Sequence, residues 1–113
     1  VTEECLDPLG GIISEDCEAL CDNLRGQQGL LYITPLDIWY MEQGHCVFGI
    51  ANLNPCEGID MYIGILYGYC QSMYVNCAVE GYDGFLQYTD PAVAFALSGT
   101  PGAPPYTEEP CSS

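Results

Sequence analysis

Lysine is missing from this 113-residue chain; arginine occurs once, at Arg25, and histidine once, at His45. With 16 Asp and Glu residues, the net charge is −15 at neutral pH. Such a surface repels phosphate backbones and anionic lipid headgroups, which argues against nucleic-acid binding and leaves a basic or a neutral protein as partner. The scarcity of cations also removes half of most catalytic sites. A small secreted ribonuclease needs His, Glu and Arg together around a phosphate, and one His with one Arg does not assemble that set. His45 has no nucleophile partner in sequence and reads as a surface or hydrogen-bonded residue. Paired carboxylates can hydrolyse glycosides, but among so many acids some pair always exists, so a carboxylate hydrolase is kept only as the last alternative.

Other absences narrow the class further. No Asp-x-Asp-x-Asp-Gly loop marks a calcium site, and the dispersed acids give no reason for one. The closest cysteines are Cys17 and Cys21, without the Cys-x-x-Cys or Cys/His spacing of zinc. We therefore expect no metal, no cofactor and no catalytic residues. The apolar run from Ile59 to Val79 is broken by Asp60, Gln71, Asn76 and two cysteines, so an integral membrane protein is not expected. No basic-then-apolar leader stands at Val1, which leads us to expect a mature, processed chain.

What is present is cysteine. Cys5, Cys17, Cys21, Cys46, Cys56, Cys70, Cys77 and Cys111 make an even set of 8, the pattern of a disulfide framework in an oxidising, extracellular compartment. Spacing alone does not choose the pairing. Residues 1–98 are expected to form one cysteine-rich domain. Residues 99–113, with Pro101, Pro104, Pro105 and Pro110, form a tail that Cys111 pins to the body, with Cys5 as a candidate partner.

Along the chain, Leu9–Ile13 reads as a short strand after an acidic lead-in. Ser14 reads as an N-cap, with Glu15, Asp16 and Glu18 at the positive end of a helix and Arg25 and Gly26 closing it. Cys17, Leu20, Cys21 and Leu24 share one face of that helix. Gly29–Met41 is extended and interrupted at Pro35; His45–Leu53 is a strand with Cys46, Phe48 and Ile50 on one face, and its small second face suits a close-lying helix. Asn54, Pro55 and Glu57 read as the capped start of a long helix whose inward stripe is Ile59, Ile63, Leu66, Cys70, Met73 and Cys77. Phe85–Thr89 and Ala92–Leu97 are two more strands joined at Asp90-Pro91. The fold expected is α+β: a two-layer, disulfide-stabilised sandwich with an antiparallel sheet and two helices on one face, in a split β-α-β arrangement.

Glu15-Asp16-Cys17 opening a helix, Trp39 in a strand, the run Gly44-His45-Cys46-Val47-Phe48-Gly49-Ile50, Ile59-Asp60, and Cys77 before a Gly-rich turn form a pattern over residues 14–98. It resembles the necrosis-inducing factor domain of secreted fungal effectors, itself similar to fungal killer toxins of the α/β-sandwich type. The resemblance implies a secreted virulence or antagonism protein with no enzymatic core, acting on a host or competitor protein. Killer toxins of this kind are basic, and one proposed action on calcium channels depends on a lysine; a chain without lysine cannot use it. A toxin or antimicrobial acting on a membrane protein is the second reading.

The long helix also carries an apolar far side, Met61, Gly64, Ile65, Gly68 and Val75, with only Asp60, Gln71 and Ser72 polar nearby. Either the first helix or the tail covers this side, or it is the contact for a partner or for a second copy in a homodimer. The spacing of Gly64 and Gly68 suits close helix packing.

Overall fold

The computed structural model describes residues 2–7, 11–89 and 92–99. In chain order these form β1 (Thr2–Leu6), α1 (Ser14–Arg25), β2 (Leu30–Ile33), β3 (Ile38–Gln43), β4 (Cys46–Asn52), β5 (Ile59–Tyr62), α2 (Leu66–Asn76), β6 (Asp83–Thr89) and β7 (Ala92–Ser98). Five strands make one sheet in the order β1-β6-β7-β4-β3, every neighbouring pair antiparallel. β4 and β6 therefore run the same way with β7 reversed between them, and α2 lies on the connection from β4 to β6. That is the split β-α-β unit. β2 and β5 form a separate antiparallel ribbon.

Both helices pack on one face of the large sheet, so the α+β architecture is the expected one. The core is formed by Cys17, Leu20, Cys21 and Leu24 of α1, Leu66, Cys70 and Met73 of α2, and the sheet residues Cys46, Phe48, Ile50, Val93, Phe95 and Leu97. Each large apolar side chain removed from water here contributes about 1.5–3 kcal/mol. Tyr69 of α2 stacks on Phe95, with ring centroids 4.3 Å apart. The helices lie on the Cys46–Phe48–Ile50 face of β4, not on its small-residue face as expected, because the cysteine and the large side chains are what reach them.

Three disulfides join the layers. Cys17–Cys46 ties α1 to β4, Cys21–Cys70 ties α1 to α2, and Cys5–Cys77 ties β1 to the residue after α2. Cys56 is disulfide-bonded as well. Cys5 is thus committed to Cys77, which overturns the suggested link from Cys5 to Cys111; Cys111 and the tail from residue 100 lie outside the described residues.

Four local readings are corrected. The helix expected from Asn54 begins only at Leu66, after a 3-10 turn over Ile63–Ile65. Asn54 does cap: its side-chain oxygen accepts from the N–H groups of Cys56 (2.8 Å) and Glu57 (3.2 Å). It closes a turn and not a helix, because Ile59–Tyr62 finds a ladder partner in β2. Leu9–Ile13 is not a strand where it is described, over residues 11–13; the edge strand is the acidic Thr2–Leu6. At α1 the cap position is Ile13, one residue before Ser14, held extended where its N–H meets the carbonyl of His45 at 3.3 Å. Gly64 and Gly68 are both exposed, and a Cβ added at Gly68 would meet nothing within 4 Å. They mediate no close helix packing.

Candidate interaction surface

The solvent-facing side of the helix layer is built by α1 and α2 lying antiparallel. Tyr74 of α2 donates to Glu18 of α1 at 3.0 Å at one end. The Arg25 guanidinium sits 5.3 Å from the centre of the Tyr67 ring at the other. The buried Cys21–Cys70 bridge holds the two helices together between these contacts. Above it lies a groove of about 280 Å³ lined by Glu18 and Asp22 on one wall and by Tyr67, Gln71, Tyr74, Val75 and Val79 on the other. This volume is small for a drug-sized ligand and suits a side chain.

Electrostatics in the groove are uneven. At the Tyr67 end, Arg25 also pairs with Asp22 at 3.4 Å, so the chain's own guanidinium is placed between a carboxylate and an aromatic face. At the Tyr74 end a carboxylate and a tyrosine meet, while Arg25, the chain's one Lys or Arg, lies at the Tyr67 end. The Tyr74 pKa is raised above the ordinary tyrosine value, first by its hydrogen bond to Glu18, then by burial, then by the negative charges of Glu18, Glu15 and Asp22. In the core, burial raises that of Tyr88, with Tyr69 adding to it.

Beside the groove is an open apolar surface. Ile65, Val75 and Val79 are 52, 58 and 55 % exposed; Ile65 ends the 3-10 turn before α2, Val75 lies in the last turn of α2, and Val79 lies in the 3-10 turn that follows. Of the five residues expected on this side, Gly64, Ile65, Gly68 and Val75 are exposed, whereas Met61 is 8 % exposed and faces the core from β5. Its exclusion follows from the strand: Met61 stands opposite Leu31 on the inward side of the ribbon, while Tyr62 and Asp60 face out. The groove residues Glu18, Asp22, Tyr67, Tyr74 and Val79 were not foreseen. Their signal was available: Glu18, Asp22 and Arg25 share a face of α1 at steps of four and three, and so do Tyr67, Gln71 and Tyr74 on α2.

His45 is exposed, and its backbone makes a structural contact. Its backbone N–H donates to the Asp16 carboxylate at 2.8 Å, which ties the start of α1 to the β3–β4 hairpin. The turn requires Gly44, at φ 57°, with the same carboxylate lying where a Cβ would stand. Among the described residues no cluster of three or more His, Cys, Asp or Glu is placed to hold a metal ion. No described helix is long and apolar enough to cross a membrane. No protein-family model matches this chain, and no curated protein does.

Proposed function

We propose that this chain is a secreted, non-enzymatic effector that acts by binding a host or competitor protein through the open side of its helix layer. The observation that carries the reading is the exposed trio of Ile65, Val75 and Val79, each more than half exposed, in the turn before α2, its last turn and the turn after it, while the opposite side of α2 is built into the core. Leaving three aliphatic side chains in water on and beside α2 in a small, cross-linked domain is a feature a binding surface explains and the core does not need. The disulfides support an extracellular setting. The resemblance of residues 14–98 to necrosis-inducing and killer-toxin-like domains points the same way.

The test is a co-purification from extract of a candidate host, with wild type beside Ile65→Asp and Val75→Asp. Both substitutions lie on exposed positions and should leave the fold intact, with melting temperatures within a few degrees of wild type. A specific partner captured by wild type and lost with either variant is the expected result. Equal capture by all three would remove the helix layer from the interaction.

A further inference from the structure

We infer, building on the binding reading above, that the Glu18–Tyr74 end of the inter-helix groove is the seat for a basic side chain, lysine or arginine, of the partner protein. Two residues of the groove's lining, Tyr67 and Asp22, already hold one such cation. At the groove's other end Arg25 lies over Tyr67 and against Asp22, and this is the arrangement of carboxylate plus aromatic face that recognises a guanidinium or an ammonium. Glu18 lies four residues before Asp22 on α1, and Tyr74 lies seven after Tyr67 on α2. The helical repeat therefore presents the same pair of groups a second time, one to two turns along the groove.

Three features fit the second seat to a partner's cation. A carboxylate accepts several hydrogen bonds, so the contact from Tyr74 orients Glu18 without exhausting it. Val75 and Val79 line the same groove and offer apolar surface to the methylene stem of a long basic side chain. The chain supplies no second cation of its own, since Arg25 is its one Lys or Arg. With net charge −15, it draws basic partners in by its long-range field, and the groove fixes where the charge lands.

The experiment is a ¹H–¹⁵N titration of the oxidised protein with the peptide Ac-Gly-Arg-Gly-NH₂, and with its uncharged citrulline twin. Saturable shifts centred on Glu18, Gln71, Tyr74 and Val79 are expected from the arginine peptide alone. Glu18→Gln should weaken binding about two- to fivefold, the range of one exposed ion pair. Glu57→Gln, which removes the same charge from the turn before β5, should leave it unchanged. Equal weakening by both variants, equal binding of the citrulline peptide, shifts spread over the acidic surface, or no saturable shift would each overturn the assignment. Partner capture then tells this failure from that of the broader reading. A partner lost with Ile65→Asp but kept with Glu18→Gln sinks the basic seat and leaves the helix surface. Peptide binding that persists while Ile65→Asp captures as wild type does the reverse.

Discussion

Asn52 is the residue whose loss should be felt most widely for its size. It is buried, and its side-chain amide donates to the carbonyls of Ile33 (3.1 Å), Thr34 (3.3 Å) and Glu57 (2.9 Å). Its side-chain oxygen accepts from the N–H of Asn54 at 3.0 Å. One side chain thus joins the end of β2, the end of β4 and the turn before β5. Asn52→Ala removes the donors and leaves buried carbonyls without them, at a cost of about 2–4 kcal/mol. Asn52→Asp is nearly the same shape and keeps the bond to Asn54, but it sets a carboxylate against three carbonyls and should cost at least as much. Urea denaturation checks both; midpoints within error of wild type would show that the three segments hold without this hub. Nothing in the sequence marked Asn52, since its partners are backbone groups from segments up to 19 residues away, and a single polar residue at the end of an apolar strand carries no periodicity. The cysteine faces were legible for the opposite reason. Cys17 and Cys21 repeat with Leu20 and Leu24 at helical spacing, and Cys46 alternates with Phe48 and Ile50, so the pattern placed them inside before any partner was known.

At the scale of elements, α2 shows how a correct local signal can point to the wrong structure. The cap at Asn54 is real, and the inward positions Leu66, Cys70, Met73 and Cys77 are all buried, yet a strand stands between them. Ile59 and Met61 satisfy a two-residue period as well as a longer one, and the choice is made by β2, a partner 26 to 32 residues upstream that no local window contains. The same misreading put Met61 on the open side. It also made Gly64 and Gly68 look like a packing notch, and glycine substitutions separate the two views. Gly68 lies in the helix with open space around it, so Gly68→Ala should stabilise the protein by about 0.5–1 kcal/mol through helix propensity. Gly84 of β6 is the contrary case, since a Cβ there would come within 2.7 Å of the Cβ of Met73. Gly84→Ala forces β6 and α2 apart and should destabilise by about 1–3 kcal/mol. Opposite shifts in thermal midpoint are the expected pair of results; a destabilising Gly68→Ala would mean that the exposed glycine is covered in solution.

For the whole molecule, the question is what offsets a net charge of −15 when the one ion pair of Arg25 among the described residues is an exposed contact with Asp22. An exposed pair of this kind contributes at most about 1 kcal/mol. The covalent links are of a different size. Cys5–Cys77 spans 72 residues, and restricting the unfolded chain over such a loop is worth about 4 kcal/mol in the chain-entropy model. The link should also act on the electrostatics. Repulsion among the carboxylates favours expansion, and a cross-link between an edge strand and the end of α2 limits how far an unfolded chain can separate its charges. Removing it by Cys5→Ala with Cys77→Ala should therefore do two things. It lowers stability by about the loop term, and it makes the remaining stability depend more steeply on salt, because the unfolded state then gains more from expansion. Raising sodium chloride from roughly 0.01 M to roughly 0.15 M shortens the screening length from about 30 Å to about 8 Å. Over that range the melting temperature of the wild type should rise, and that of the double variant should start lower and rise further. Parallel salt curves for the two proteins would show that the disulfide acts on chain entropy alone, and a melting temperature that falls with salt in both would show that self-repulsion is not what the framework holds against.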